Sequence, residues 1–181
     1  MRGPGLAVIL FGLAGTMAHA GVVVTWTFQN ATLNDGGTIN GSYNYDATLN
    51  LITNWSVTTS GGDTVTFPAL NYNPGDSTAG VANDFQFNLT DAAAFCCSNP
   101  NQPRILNVAL AAPMTDAGGS INLITGNSGT VECYNCNPFR SAAGGSVVGV
   151  EAVVPEPASG VLVFGAAALA AMIGRMRRRL H

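Results

Sequence analysis

The stretch TINGSYNYD, residues 38–46, decides the fold class of this chain. Every second residue from Ile39 to Tyr45 is apolar or glycine and the others are polar, which is the period-two pattern of a half-buried strand. The segment VVVTWTF, residues 22–28, alternates in the same way, and NDGG at residues 34–37 is typical of a turn. The sequence therefore predicts two β-strands joined by a turn.

Short alternating segments with turn signals between them continue through the middle of the chain. They are rich in Thr, Val and aromatic residues, and strands do not alternate with helices. This pattern predicts an all-β fold over residues 21–153, an antiparallel β-sandwich of jelly-roll type. One helical turn is expected at 90–95 and a loop at 71–80. The further predicted strands are 51–59, 64–67, 85–89, 106–110, 121–125, 130–134 and 146–153.

Charge is scarce and unevenly distributed. Only 9% of the 181 residues are charged, against about 25% in an average soluble domain. Residues 21–154, which we call the middle region, carry nine acidic residues against Arg104 and Arg140, a net charge of −7. The acids predict a solvated surface that keeps the protein soluble, with calcium binding through loop acids such as Asp63, Asp76 and Asp84 as an alternative.

Two function classes are excluded by composition. The pI is about 5.1 and no basic patch lies outside the C-terminus, which excludes nucleic acid as a partner. The only histidines are His19 and His181. Ser–His, Cys–His and His–metal sites therefore cannot be built in the middle region.

Residues 1–20 have the three parts of an export signal. Arg2 precedes an apolar, Gly/Ala-rich segment at 6–17, and Ala18 and Ala20 are the small residues that signal peptidase recognises. Signal peptidase is therefore an expected partner, and the mature chain is expected outside the cytoplasm.

The C-terminus has a second three-part pattern. The sequence VPEP at 154–157 is followed by 17 uncharged residues at 158–174. As a helix these span about 25 Å, slightly less than a hydrocarbon core of ~30 Å. The arginines after this segment are expected to stay cytoplasmic. Their long side chains can reach the membrane surface and so compensate for the short length of the helix. The tail at 175–181 contains Arg175, Arg177, Arg178 and Arg179.

Pro155-Glu156-Pro157, a Gly/Ala-rich helix and a terminal Arg cluster together resemble the PEP-CTERM sorting signal. The resemblance covers residues 154–181. It implies a Gram-negative exported protein that an inner-membrane exosortase recognises at the tripeptide and cleaves nearby. The protein then passes from a membrane intermediate to the cell surface or the extracellular polysaccharide matrix. The alternative is a permanent membrane anchor with a Pro-rich stalk.

The segment 26–59 carries a second, shorter resemblance. A Trp-Thr-Phe strand leads to Asp-Gly-Gly-Thr, then to Gly-Ser-Tyr-Asn-Tyr-Asp-Ala and Asn-Trp-Ser-Val-Thr-Thr. This resembles a recurrent ectodomain of PEP-CTERM proteins. It implies a secreted β-rich domain and no particular chemistry.

Four cysteines, Cys96, Cys97, Cys133 and Cys136, predict disulfides in an exported domain. A bond between adjacent residues is strained, so two bridges joining the 96/97 pair to the 133/136 pair are expected, in either register. Closing one such loop of about 40 residues contributes roughly 3–4 kcal/mol. Zinc is the alternative, although an adjacent pair fits a tetrahedral ion poorly.

The sequence thus predicts a non-enzymatic surface or matrix protein with a structural or adhesive role and no cofactor. The second hypothesis is a glycan-binding module, with or without calcium, that uses Tyr72, Tyr134 and Asp76. Trp55 is expected in the core instead. A carboxylate-based glycosidase is the third hypothesis, since that chemistry needs only two acids. The acids are dispersed and lie mostly in turns, where they shape the backbone.

Overall fold

The structure, a computed structural model, describes residues 22–95, 102–135 and 137–151. These residues form ten strands, all paired antiparallel, and no helix, so none of them belongs to a membrane-spanning helix. The predicted all-β antiparallel class is confirmed. The strands are β1 (Val23–Leu33), β2 (Gly37–Asp46), β3 (Leu51–Gly61), β4 (Leu70–Tyr72), β5 (Thr78–Asn83), β6 (Gln86–Phe95), β7 (Pro103–Ala109), β8 (Gly119–Asn122), β9 (Val131–Tyr134) and β10 (Phe139–Glu151).

The strands form one curled sheet. Its order is β4-β3-β2-β1-β10-β9-β7-β6-β5, and β8 pairs with β10 beside this path. We call β1–β4 the N-terminal half and β5, β6, β7 and β9 the C-terminal half. β10 belongs to both, because its first residues pair with β9 and the rest pairs with β1.

A glycine lies at the irregularity in the pairing of β10 with β1. Gly145 has φ +117°, in the region that favours glycine, and a Cβ there would collide with the backbone of Ala31 in β1. The strand can therefore approach β1 closely at this irregularity.

The core lies between the two halves. Alternation in β1 and β2 buries Trp26, Phe28 and Tyr43, as the sequence predicts. The Tyr43 ring contacts Phe87 of β6, with 4.5 Å between ring centroids, and the Tyr43 hydroxyl donates to Met114 Sδ at 3.3 Å. The curl thus brings β2 against β6, and Trp55 packs at the edge of this core.

Three local predictions were wrong. Residues 64–67 form no strand, because Asp63 closes a turn by accepting the Phe67 N–H through its carbonyl oxygen. Residues 70–72, which overlap the predicted loop, form β4 on β3. Residues 90–95 continue β6 rather than forming a helical turn, since pairing with β7 overrides the local preference of an Asp-Ala-Ala-Ala run.

Candidate functional site

Four charged residues gather inside the molecule where the two halves meet. Arg104 lies on β7, Glu132 on β9 and Arg140 on β10, and all three are fully buried. Asp35, in the β1–β2 turn, completes the group with its side chain 20% exposed. We call these four residues the buried charge cluster. It holds two positive and two negative charges, so it is neutral as a whole.

One carboxylate oxygen of Glu132 joins the two halves of the sheet. Glu132 Oε1 accepts hydrogen bonds from Thr59 Oγ1 at 2.7 Å, from Tyr72 OH at 2.8 Å and from Arg104 Nε at 2.8 Å. Thr59 lies on β3 and Tyr72 on β4, whereas Glu132 and Arg104 lie in the C-terminal half. The edge of the N-terminal half is therefore tied directly to β9.

The other oxygen of Glu132 connects to the β1–β2 turn through Arg140. Arg140 Nε and Nη2 lie 2.7 and 2.6 Å from Glu132 Oε2. Arg140 Nη1 donates to Asp35 Oδ2 and to the Gly61 carbonyl oxygen, both at 3.0 Å. Asp35 in turn accepts the backbone N–H groups of Gly37 and Asp63. The chain of contacts therefore reaches from β9 to the end of the domain.

Aromatic rings cover the flat faces of both guanidinium groups. The Phe67 ring lies 4.8 Å from Arg140 Cζ and 5.5 Å from Arg104 Cζ. Tyr134 stacks on Phe67 and lies 5.6 Å from Arg104 Cζ. Arginine is suited to this arrangement, because its planar group donates in the plane and contacts π-electrons above it. Arg104 also donates to the Pro68 carbonyl oxygen and to Thr59 Oγ1.

Burial and the contacts within the cluster shift the pKa values of Arg104, Asp35 and the neighbouring Tyr72. Burial works to lower the pKa of Arg104, but the neighbouring Glu132 carboxylate outweighs it and the pKa rises. Burial, together with the Glu132 charge, raises the pKa of Tyr72 well above its ordinary value. Partial burial works to raise the pKa of Asp35, yet hydrogen bonds from Asp63, Gly37 and Arg140 hold it below its ordinary value. Tyr72 therefore stays neutral and Asp35 stays ionised at neutral pH.

Protein groups use the hydrogen-bonding positions of the buried Glu132 carboxylate. Glu132 has no exposed surface, and four protein groups already occupy its two oxygens. A hydrogen bond to a charged partner contributes about 1.5–3 kcal/mol, and a buried charge is tolerated only when it is paired in this way. The cluster thus fixes the relative position of five strands and two loops.

The structure does not leave the two predicted sugar-stacking tyrosines accessible. Tyr72 is buried beside the charge cluster and Tyr134 is 4% exposed, so neither ring is accessible for the predicted binding of a glycan. The reason is that each occupies an inward position of a strand, β4 and β9, beside Glu132. Asp76 is exposed and accepts from Asn73 Nδ2 at 2.9 Å in the turn before β5. The three residues do not form one site.

The loop acids that could bind calcium are separated. Asp63 caps its own turn by accepting the N–H groups of Val65 and Thr66, and Asp76 serves the turn at 73–77. Asp84 lies elsewhere, near Tyr45, where burial and the charges of Asp84, Asp116 and Asp46 raise the tyrosine pKa. Across the described ranges, no three His, Cys, Asp or Glu side chains are arranged to hold a metal ion.

Of the four cysteines, only Cys133 lies in the part of the chain that the structure describes. Cys133 is buried on β9, in register with Ile105 and Phe139, while Cys96, Cys97 and Cys136 lie outside the described residues. The described flanks meet, because Phe95 pairs with Pro103 and the Asn135 N–H donates to the Pro103 carbonyl oxygen at 3.0 Å. The predicted bridges and the zinc alternative both stay predictions.

The targeting residues also lie outside the described part of the chain. These are Ala18 and Ala20 of the signal, Pro155, Glu156 and Pro157 of the sorting motif, and Arg175, Arg177, Arg178 and Arg179 of the tail.

Sequence reasoning assigned the charges of the middle region to the surface and missed the buried charge cluster. Strand periodicity carries a signal that could have found it. Arg104 shares the parity of the inward residues Leu106 and Val108, and Glu132 shares that of Tyr134.

Comparisons of the chain with known protein families, with curated proteins and with solved structures give no match.

Proposed function

We propose that this chain is an exported protein that an exosortase processes and that then acts structurally or adhesively at the cell surface or in a polysaccharide matrix. The targeting part of the proposal rests on the export signal at 1–20 and on the resemblance of 154–181 to the PEP-CTERM sorting signal. Signal peptidase, exosortase and the inner membrane are the partners it requires.

The non-enzymatic part of the proposal is supported by the saturation of Glu132. A glycosidase needs two carboxyl groups on either side of a bound sugar, with water or substrate reaching both. Here Glu132 and Asp35 are bridged by Arg140, at 2.6 and 3.0 Å, and Glu132 is sealed from solvent. The buried charge cluster is therefore committed to holding strands together.

We further propose that the curled sheet functions as a two-layer β-sandwich. Contacts such as Tyr43–Phe87 and Thr59–Glu132 join opposite halves of the sheet across the interior. Two disulfides at the Cys133 end complete the proposed domain. A sandwich fixed by internal ion pairs and bridges fits a protein that must persist outside the cell.

Expression in a Gram-negative host with and without an exosortase tests the assignment. With the enzyme, we expect a shortened chain lacking the tail in the surface or medium fraction. Without it, we expect the chain in the inner-membrane fraction. The same distribution in both hosts would contradict the sorting proposal. Release of new reducing ends from polysaccharide by the purified protein would contradict the non-enzymatic role.

A further inference from the structure

Between the strand ends, the outward face of the first three strands carries no charge, and Asp46 at the end of β2 is buried. Buried Trp26, Tyr43 and Val57 mark the inward face of these strands, and the residues between such inward positions face solvent. We call these outward residues the polar face. It consists of Thr25, Thr27 and Gln29 on β1, Thr38, Asn40, Ser42 and Asn44 on β2, and Asn54, Ser56, Thr58 and Ser60 on β3.

The neutrality of this face contrasts with the rest of the domain. The middle region has a net charge of −7, yet its exposed acids Asp63 and Asp76 lie in turns, and exposed Glu151 lies at the end of β10. Arg104 and Arg140 are buried, so neither supplies a positive charge to the polar face. The face therefore offers an anionic polymer no counter-charge, and the surrounding net charge repels one.

The polar side chains form rows across the strands. Thr27 pairs with Ser42, and Ser42 pairs with Ser56, so three hydroxyls lie side by side on neighbouring strands. In the described part of the chain, no protein group hydrogen-bonds to these three hydroxyls. The next row is Thr25, Asn44 and Asn54, where Thr25 Oγ1 donates to Asn44 Oδ1 at 3.0 Å.

The rows match a repeating, hydroxylated ligand. Neighbouring strands are about 4.8 Å apart, which is close to the length of one sugar residue in an extended glycan. The hydroxyl of a Ser or Thr side chain can donate or accept a hydrogen bond, and so can a sugar hydroxyl. Each strand can therefore offer one hydrogen bond per sugar residue, with either group as the donor. Individual contacts of this kind are weak in water, and repetition along the row adds them together.

We propose that the polar face binds an uncharged, extended polysaccharide laid across β1, β2 and β3. This inference rests on the proposed surface or matrix role and names the ligand class for it. The proposed surface does not include Tyr72, Tyr134 or Asp76. It lies on the face of β1, β2 and β3 that points away from the core.

Pull-down with the full-length chain tests the proposal, with the protein purified in a detergent that lacks a sugar headgroup. The neutral probes are insoluble cellulose and insoluble mannan, and alginate-coated beads are the anionic probe. We expect depletion of the protein by at least one neutral probe and not by alginate. Depletion by neither neutral probe, or stronger depletion by alginate, would overturn the proposal.

A matched pair of charge variants locates the surface. Ser56→Asp adds a negative charge to the middle of the hydroxyl row, and Thr78→Asp adds the same charge to exposed β5 in the other half. We expect Ser56→Asp to lower the bound-to-free ratio at least tenfold and Thr78→Asp to leave it within twofold. Equal binding of both variants, each with an unchanged denaturation midpoint, would overturn the assignment to the polar face.

Failure of this inference is distinguishable from failure of the proposed function. If Ser56→Asp is still released by the exosortase host but no longer binds, only the ligand-binding step is affected. If the wild-type chain binds cellulose or mannan but is not released, the polar-face proposal stands and the sorting proposal fails.

Discussion

Arg140 and Glu132 face each other in register on β10 and β9, and Arg140 Nε donates to Glu132 Oε2 at 2.7 Å. Both side chains are buried, and Arg104 approaches the same carboxylate from β7. Glu132 is therefore the shared anion of two buried cations. Its loss leaves more positive charge in the interior than Asp35 can balance.

We expect Glu132→Gln to destabilise the protein by about 3–5 kcal/mol, because removing one partner of a buried ion pair leaves an uncompensated charge. The free energy of unfolding from urea denaturation measures this. Glu151→Gln is the matched control, since it makes the same chemical change at an exposed position, and we expect it to cost less than about 0.5 kcal/mol. Similar costs for the two variants would show that the cluster does not hold the fold.

Stability should depend on the ionisation of Asp35. Its folded-state pKa lies below the ordinary value of 3.8, so its stabilising contribution is complete above that pH and is lost as pH falls through the folded pKa. We expect Asp35→Asn to cost about 1.5–3 kcal/mol at pH 7, through weaker hydrogen bonds with Arg140, Asp63 and Gly37.

The difference between wild type and Asp35→Asn should narrow below about pH 4. Urea denaturation at pH 7 and pH 3 measures both differences. Asp76→Asn, at an exposed turn, is the control, with an expected effect under about 0.5 kcal/mol at either pH. A difference that stays constant between pH 7 and pH 3 would argue against this role of the carboxylate.

Alanine substitutions at two glycines with similar φ angles can separate the cost of backbone strain from the cost of a steric collision. Gly41 has φ +113° and Gly119 has φ +108°, but a Cβ at Gly41 would collide with the Ser56 carbonyl oxygen, whereas nothing lies within 4 Å of a Cβ at Gly119. We expect Gly119→Ala to cost about 1–3 kcal/mol from the positive φ alone. Gly41→Ala should cost clearly more, as thermal and urea denaturation of the two variants can measure. An equal loss of unfolding free energy in the two variants would mean that β2 and β3 can move apart at Gly41 without a loss of stability.

Non-reducing peptide mapping by mass spectrometry tests the cysteines. We expect peptides containing Cys96 and Cys97 to be linked to peptides containing Cys133 and Cys136. Reduction of both bridges should then lower the free energy of unfolding by at least roughly 3–4 kcal/mol, the contribution of the first closure of the long loop. Four free thiols in the exported protein would contradict the predicted bridges, and stoichiometric zinc in the same preparation would favour the metal alternative.

Glu156→Ala tests the sorting motif. We expect this variant to stay in the inner-membrane fraction of the exosortase host with its C-terminal tail intact. Glu151→Ala, which changes the nearest upstream glutamate outside the motif, should be released like the wild type. Normal release of Glu156→Ala would mean that the tripeptide is not the recognition element.

The sequence predicted those strands whose signal is local. In β1 and β2 the alternation of residues such as Trp26 and Tyr43 matches their burial, because one face of each strand packs on the core. Trp55 was expected in the core, and it packs at the core's edge with Nε1 donating to Ser77 Oγ. The sequence did not predict the short strand β4, because three residues show too little alternation and the partner of Tyr72, Glu132, lies 60 positions later.

The buried charge cluster was not predictable from local pattern for the same reason. Arg140 meets Asp35 across 105 positions and Arg104 meets Glu132 across 28. Charged residues are rarely buried unless they are paired, so each one alone indicates a surface position. Tyr72 became a candidate for glycan binding for a related reason, because the turn-rich sequence around it gives no sign of Glu132, which lies 60 positions later.

The pairing of the first strand with the last has a kinetic consequence. β1 begins at Val23 and its partner β10 ends at Glu151, so one edge of β1 stays open until nearly the whole domain has been synthesised. Pairing between such distant segments folds slowly, and open edges attract other chains in the meantime. Newly made chains of this protein should therefore pass through an aggregation-prone interval that ends only when β10 closes the sheet.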